Sequence, residues 1–154
     1  MDGNNRWARR EGLFGVAGHR AGAEVVRDIV SACESRGIHY LTLFVFSSEN
    51  WGRPLPEVRG LLALLSRYLR NEVAKLVSDG VRLKVIGRRD RFSPGLQKLI
   101  AKAEAQTQAG DRAVLTLALD YGGRWDVTDV VRSIAYDVAS GHVAPEDISE
   151  DLIS

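Results

Sequence analysis

The chain has 154 residues, a length typical of one domain that can bury its own core. Its net charge of +1 argues against a nucleic-acid binder, and no uninterrupted apolar run approaches the roughly 20 residues that cross a bilayer. Cys33 is the single cysteine, which excludes a disulfide framework and favours a reducing, cytoplasmic setting. Arg supplies 17 of the 21 basic residues, so local binding of phosphate or carboxylate stays open.

Helices and strands alternate along the chain. Apolar spacing and capping residues predict helices over 21–36, 56–78, 94–108 and from about 126 to 140, and strands over 41–46, 81–86 and 113–119. Because such repeated units build parallel sheets, we predict an α/β fold with helices on both faces of a parallel sheet. No Pro/Ser-rich linker divides the chain, so we expect a single domain over residues 1–154.

A dense polar group follows the first predicted strand. Within seven residues the chain carries two hydroxyls, a carboxylate, an amide, an indole and a guanidinium, from Ser47, Ser48, Glu49, Asn50, Trp51 and Arg53. In open α/β sheets, ligands bind at the carboxyl ends of the strands. We therefore predict a ligand loop here. The alternative is an ordinary polar turn that Pro54 brings to an end.

The first ten residues form a second candidate ligand loop. Gly3 and Asn4 permit tight turns and expose backbone amides, and Asp2 offers a hard oxygen ligand. Positive charge comes from Arg6, Arg9 and Arg10. One carboxylate beside several Arg residues suits Mg²⁺ bound together with a diphosphate, because magnesium leaves most of its positions to phosphate and water. The alternative is a frayed, charged terminus.

The segment 18–22, Gly-His-x-x-Gly, stands at the predicted start of a helix. Free backbone amides and the helix dipole favour an anion at that position, and His19 can donate to a phosphate oxygen. A histidine at a helix start is also common as a cap or a surface residue, so this motif is weak when taken alone.

Taken together, four motifs resemble the cis-prenyltransferase family, and most of all its bacterial undecaprenyl diphosphate synthases. The motifs are Met-Asp-Gly-Asn-x-Arg-Trp-Ala at 1–8, Gly-His-x-x-Gly at 18–22, Phe-Ser-Ser-Glu-Asn-Trp-x-Arg-Pro at 46–54 and Tyr-Gly-Gly-Arg-Trp-Asp at 121–126. They occur in the family's order and spacing. The resemblance therefore extends over essentially the whole chain.

The resemblance implies an enzyme that extends an allylic diphosphate, typically farnesyl diphosphate, with isopentenyl diphosphate units, each adding a cis double bond. The product is a long polyprenyl diphosphate such as undecaprenyl diphosphate, the precursor of the lipid carrier for cell-wall synthesis. The family uses Mg²⁺, works as a homodimer and grows its product in an apolar tunnel. Contact with the inner face of the membrane would come through the lipid product. Residues of 56–78, 81–86 and 113–119 could line such a tunnel, but from sequence alone they cannot be distinguished from ordinary core, which is the more common role for any one of them.

The family's site residues carry over as follows. Asp2 matches the aspartate that holds magnesium with the diphosphate. The loop that cradles the allylic diphosphate corresponds to Gly3, Asn4, Asn5, Arg6 and Trp7, with His19 beside it. The second substrate loop corresponds to Ser47, Ser48, Glu49, Trp51 and Arg53. Asn50 matches the residue assigned as proton acceptor, but an amide is a very poor base, and we expect Asn50 to orient the isopentenyl group or a water. The motif 121–126 is more typical of a structural turn.

Three departures from the family pattern bear on activity. Family members have an apolar strand before the first motif, and further Arg, Ser and Glu ligands after the position of Ser154, so we expect an incomplete domain. Gly15 stands where the family places an Arg that grips diphosphate. A second hypothesis therefore stays open, in which the chain binds allylic diphosphate without turnover. A generic nucleotide-binding domain is disfavoured, because no Gly-x-Gly-x-x-Gly or phosphate-loop Lys follows a strand.

Overall fold

The computed structural model describes residues 3–13 and 16–153. In chain order the elements are α1 (Asn4–Arg10), α2 (Ala17–Ser35), β1 (Tyr40–Ser47), a 3₁₀ turn (Ser48–Gly52), α3 (Leu55–Ser78), β2 (Val81–Ile86), α4 (Pro94–Thr107), β3 (Ala113–Tyr121), α5 (Gly123–Ala139), a second 3₁₀ turn (Pro145–Asp147) and α6 (Glu150–Ile153). Among these described residues no helix is long and apolar enough to cross a membrane.

The three strands form one parallel sheet in the order β1-β3-β2. The central position of β3 explains its apolar sequence, since a strand with two neighbours has little contact with water. Leu117 lies at the middle of the sheet, where it is in register with Leu43 of β1 and Val85 of β2. The predicted parallel α/β fold is confirmed, and so are all three predicted strands.

The core lies between the sheet and helices α3 and α4. Leu69 of α3, Ile100 of α4 and Leu119 of β3 are each at most 1% exposed and belong to one continuous apolar cluster. On the opposite side of β1, Tyr40 and Phe44 are 79% and 44% exposed. The helices α3 and α4 therefore bury one face of the sheet, and the carboxyl ends of the three parallel strands lie at one edge.

Helix ends follow the predicted capping residues. Gly37, just after α2, adopts φ 68°, a left-handed conformation that glycine reaches without strain. Ser93 caps α4 with its hydroxyl, which accepts from the Leu96 backbone N–H at 3.3 Å. Pro94 occupies the first turn of the same helix, as expected.

Two predictions about the N-terminal part were wrong. Residues 1–10 were expected to form a loop, but Asn4–Arg10 is helical, and the helix predicted from residue 21 already begins at Ala17. A helix of seven residues is unstable alone, so its sequence carries little signal. Here it is held by docking on α2, where Ala8 is only 2% exposed.

Candidate diphosphate-binding site

The junction of α1 and α2 fixes the position of Asn4. A Cβ on Gly18 would lie 2.0 Å from the Asn4 backbone oxygen, and a Cβ on Gly22 would lie 2.6 Å from Asn4 Oδ1. Only glycine permits this approach of the two helices. Asn4 Nδ2 then lies 3.4 Å from His19 Nδ1, so the first and second sequence motifs meet at one point. The two glycines of the second motif thus serve helix packing.

The carboxylate of Glu57, in the first turn of α3, joins the first and third motifs. Its Oε1 accepts from Asn5 Nδ2 at 3.0 Å and from Arg53 Nη1 at 2.8 Å. Glu57 lies three residues after Pro54 and was not among the residues chosen from the sequence. An acidic residue in the first turn of a helix usually only interacts favourably with the helix dipole. The sequence therefore did not indicate that Glu57 links two motifs.

Electrostatic effects fix the charge states of this group. Hydrogen bonds from Asn5 and from Arg53 lower the pKa of Glu57, which stays ionised at neutral pH. Burial lowers the pKa of His19 from its ordinary value, with a further contribution from the positive charge of Arg53, whereas Glu57 acts in the opposite direction. His19 is therefore neutral at pH 7. Its Nε2 atom is buried and has no hydrogen-bond partner within the described residues, so it is available to a ligand.

The 3₁₀ turn Ser48–Gly52 is a rigid structure, held by a reciprocal capping box. The Ser47 backbone N–H donates to Asn50 Oδ1 at 3.1 Å, and the Ser47 side chain accepts from the Asn50 backbone. Ser48 Oγ donates to the carbonyl oxygen of Asp120 at the end of β3, at 3.3 Å. The Asn50 side-chain oxygen is therefore occupied by the turn itself.

Trp51 lies in an aromatic cluster at the end of the turn. Its ring packs against Phe46 and Phe92, with centroids 5.2 and 6.0 Å apart, and the Arg91 guanidinium lies 4.7 Å from its centroid. Trp51 Nε1 is buried and, like His19 Nε2, has no partner in the part of the chain that the structure describes. Each of these two nitrogens could therefore form a hydrogen bond with a bound ligand.

Glu49 differs from its neighbours because it is exposed at the surface of the turn. Hydrogen bonds from its own backbone N–H and from the Ser47 hydroxyl lower the pKa of its carboxyl, which is ionised at neutral pH. The nearby charge of Arg124, in the fourth motif, acts in the same direction. Glu49 is thus an anionic group at the rim of the site.

The fourth motif forms the turn from β3 into α5. Tyr121 donates its hydroxyl hydrogen bond to Asp126 Oδ2 at 3.0 Å, which raises the pKa of Tyr121. A Cβ on Gly122 would meet Ser48 Oγ at 3.1 Å. These contacts support the structural role that the sequence suggested for this motif.

An apolar cavity opens beside the polar group. It is narrow: the centres of water-sized spheres can occupy about 70 Å³ of it. Asn4 and His19 line one part of it; the other lining residues are mostly apolar and belong to α2, α3, β1 and β3: Ala23, Val26, Leu43, Val45, Phe46, Leu61, Leu62, Leu64, Leu65, Tyr68 and Leu117. The lining includes residues of 56–78 and 113–119 but none of 81–86, whose buried residues belong to the core.

The other predicted site residues lie on α1 or outside the described structure. Gly3 caps α1 with φ 80°, Arg6 is exposed, and Trp7 is 44% exposed. Asp2 and Gly15 lie outside the described residues. The structure thus brings residues of the first three motifs together through Asn4, His19 and Glu57, and leaves the contribution of Asp2 as a prediction.

The arrangement of His, Cys, Asp and Glu side chains bears on the expected magnesium site. Within 3–13 and 16–153 no group of three or more His, Cys, Asp or Glu side chains is arranged to hold a metal ion. The expected magnesium site does not need such a group, because Mg²⁺ is commonly held by one or two carboxylates together with substrate phosphates, and it stays a prediction. The predicted protein ligand, Asp2, is one such carboxylate.

Fold and site together define a class of protein: an α/β protein with a parallel sheet, in which polar side chains of the first two motifs line one part of an apolar cavity. Comparison with known families agrees. The family model described as "Putative undecaprenyl diphosphate synthase" matches residues 1–154. The chain belongs to this family, the cis-prenyltransferases, as its four motifs suggested.

Named relatives support this assignment. The chain is 48% identical over 153 residues to the ditrans,polycis-undecaprenyl-diphosphate synthase ((2E,6E)-farnesyl-diphosphate specific) of Pseudomonas aeruginosa, covering 99% of this chain and 61% of the relative. It is 48% identical over 154 residues to an isoprenyl transferase of Chromobacterium violaceum, covering 100% of this chain and 59% of the relative. The chain thus spans about 60% of the length of these relatives.

Solved structures share the fold. Lavandulyl diphosphate synthase from Lavandula x intermedia, in complex with dimethylallyl diphosphate, superposes with a TM-score of 0.95 at 33% identity, covering 99% of this chain and 66% of that one. A probable undecaprenyl diphosphate synthase from Campylobacter jejuni gives a TM-score of 0.75 at 27% identity, covering 86% and 62%.

Proposed function

We propose that the chain acts as a cis-prenyltransferase that condenses isopentenyl diphosphate onto farnesyl diphosphate and produces a long polyprenyl diphosphate such as undecaprenyl diphosphate. The observation that carries the proposal is the cavity, in which polar groups from Asn4 and His19 adjoin a long apolar lining. An amphiphile with a charged head and a hydrocarbon tail matches this division. The name of the Pseudomonas aeruginosa relative supports farnesyl diphosphate as the starting substrate.

The diphosphate head would bind where the first three motifs meet. Asn4, His19 and Arg53 converge there, and Glu57 orients Asn5 and Arg53 by accepting from both. Donors held in place before the reaction stabilise negative charge that grows on the departing diphosphate. The neutral His19 presents Nε2 as a donor to a diphosphate oxygen when its proton sits on that nitrogen.

Asn50 would orient the isopentenyl unit. Its Oδ1 already accepts from the Ser47 backbone N–H, so the Nδ2 group would be the one that donates to the substrate. A side chain used in this way holds a substrate oxygen in place, whereas general-base catalysis needs a pKa near the working pH. The proton lost from the isopentenyl carbon would then pass to a diphosphate oxygen.

Magnesium would be held by Asp2 together with the diphosphate, because a single carboxylate leaves the remaining positions to phosphate and water. When bound, the ion supplies Lewis-acid stabilisation of the leaving diphosphate. Arg6, in the first turn of α1, adds a positive charge near that end of the helix.

We further propose that residues 1–154 act as one unit of the family's domain, work as a homodimer in the cytoplasm, and meet the membrane only through the lipid product. The continuous core supports a single unit. Val127 and Val131, one turn apart on α5, are 65% and 60% exposed and offer an apolar surface to a second chain. The lone Cys33 fits a reducing compartment.

The test is incorporation of radiolabelled isopentenyl diphosphate into butanol-extractable product, with farnesyl diphosphate and Mg²⁺, by the 154-residue chain and its Asp2→Ala variant. Long polyprenyl diphosphate from the chain, but not from the variant, is the expected result. If the folded chain binds farnesyl diphosphate but neither protein turns over, the catalytic proposal fails and the non-catalytic binding hypothesis replaces it.

A further inference from the structure

Asp120, near the end of β3, is a buried carboxylate without hydrogen bonds. It is 0% exposed, and neither of its carboxylate oxygens has a hydrogen-bond partner among the described residues. Burying a charged group in this way costs free energy unless a counter-charge compensates. The single ion-pair partner that the described structure provides is Arg91, whose Nη1 lies 3.5 Å from Oδ1.

The backbone at Asp120 is also unusual. Its φ of 48° is the one left-handed conformation at a residue other than glycine in the part of the chain described. Such a conformation is rare and costs free energy, although Asp and Asn tolerate it better than other side chains. The Asp120 carbonyl oxygen accepts from Ser48 Oγ and from the Arg88 backbone N–H, each at 3.3 Å. Asp120 therefore connects the ends of all three strands.

Arg91 carries the effect of Asp120 to the substrate turn. Its guanidinium lies 4.7 Å from the Trp51 ring centroid, a favourable distance for a cation over an aromatic face. Trp51 is in turn fixed against Phe46 and Phe92. The carboxylate, the guanidinium and the indole form a continuous series, which ends in the turn assigned to isopentenyl diphosphate.

We propose that Asp120 is a positioning residue for the isopentenyl diphosphate turn, acting through Arg91 and Trp51. Its charge holds Arg91 over the indole, and the indole holds Ser48–Gly52 in the conformation that receives the substrate. The cost of the buried charge and of the left-handed backbone is thereby explained by function. The inference rests on the proposed function, because it concerns the second substrate of the same reaction.

The test is Asp120→Asn, which keeps the shape and the left-handed preference but removes the charge. We expect the KM for isopentenyl diphosphate to rise by about 10- to 100-fold, since misplacement of a substrate by about 1 Å has effects of that size. The affinity for farnesyl diphosphate stays within twofold of wild type. The thermal midpoint stays equal or rises, because a buried amide costs less than a buried carboxylate.

A purely structural role predicts the opposite pattern, with a lower thermal midpoint and unchanged KM, and that result would overturn the proposal. Arg91→Met should raise the same KM, and the double variant should be no worse than either single variant, since all three break the same series. Additive effects in this cycle would also contradict the inference.

A spectroscopic readout separates this inference from the proposed function. In a chain labelled with 5-fluorotryptophan, Asp120→Asn should shift the ¹⁹F resonance of Trp51 and leave that of Trp7 unchanged. The shift is expected even if the chain proves inactive, in which case the catalytic proposal fails and the coupling of Asp120 to Trp51 stands. An unmoved Trp51 resonance would overturn the coupling whatever the activity.

Discussion

Gly18→Ala is the substitution that tests the α1–α2 junction most severely. The new Cβ would lie 2.0 Å from the Asn4 backbone oxygen and 2.8 Å from its carbonyl carbon, whereas real Cβ contacts start near 3.0 Å. Because both atoms belong to the backbone, α1 must move by about 1 Å as a unit, at a cost typical of overpacking, about 1–3 kcal/mol. For a chain of this size, where 1 kcal/mol shifts the midpoint by about 2–4 °C, that lowers the thermal midpoint by about 2–12 °C.

The same movement should impair ligand binding. It separates Asn4 from His19, which are 3.4 Å apart in the structure, and displaces Asn5 from Glu57. We expect farnesyl diphosphate to bind at least about tenfold more weakly, measured by isothermal titration calorimetry beside thermal unfolding by circular dichroism. An unchanged midpoint together with unchanged affinity would refute the reasoning.

Two matched glycines serve as controls for this experiment. Gly22→Ala places its Cβ 2.6 Å from the Asn4 side chain, which can rotate away, so it should weaken binding but destabilise less than Gly18→Ala. Gly95→Ala on α4 meets nothing within 4 Å and should stabilise by up to about 1 kcal/mol. If all three variants behave alike, the close approach of the helices is not the cause.

Three further predictions concern charge and cavity shape. Glu57→Gln should lower the pKa of His19 further, because the negative charge that raises it is removed; an NMR titration of the imidazole measures this. Arg27→Met should lower the midpoint of urea unfolding, because Glu72 is 6% exposed and its carboxylate would lose the hydrogen bond from Arg27 Nε at 2.7 Å. Ala23→Leu fills part of the apolar cavity and should shorten the polyprenyl product in thin-layer analysis.

Each of these predictions has its own check. A rise in the pKa of His19 in the Glu57→Gln variant would contradict the first prediction. Glu72→Gln combined with Arg27→Met should recover most of the lost stability, since no buried charge is then left unpaired. Ala101→Leu, on the exposed side of α4, should leave product length unchanged; an equal effect from both leucines would mean that the cavity does not hold the chain.

Much of the fold is predictable because buried parallel strands and capped helices leave local signals. The strand over 81–86 has the predicted bounds, and Ser93 caps α4 as its position suggested. The short α1 is different: seven residues cannot form a stable helix alone, and the docking of Ala8 on α2 decides their conformation. The local sequence does not indicate that tertiary contact.

The candidate site was predictable as a set of motifs but not as an arrangement. The motifs include Asn4, His19 and Arg53, so these residues could be identified from the sequence. The residue that links the first and third motifs is Glu57, an acidic residue at a helix start with no distinguishing local pattern. Asp120 was hidden in the same way, since its burial and its left-handed backbone depend on strands and turns distant in sequence. Such features arise only when the sheet is assembled.

The most direct test of the proposed site is an amide chemical-shift titration of the isotopically labelled chain with farnesyl diphosphate, with and without Mg²⁺. Large perturbations should fall on the N-terminus of α1, on His19 and on Arg53, and smaller ones along the cavity at Val26 and Leu65. Farnesol, which lacks the diphosphate, should perturb only the cavity. Perturbations scattered over α4 or α5, or the same pattern from farnesol as from farnesyl diphosphate, would contradict a diphosphate site built by these motifs.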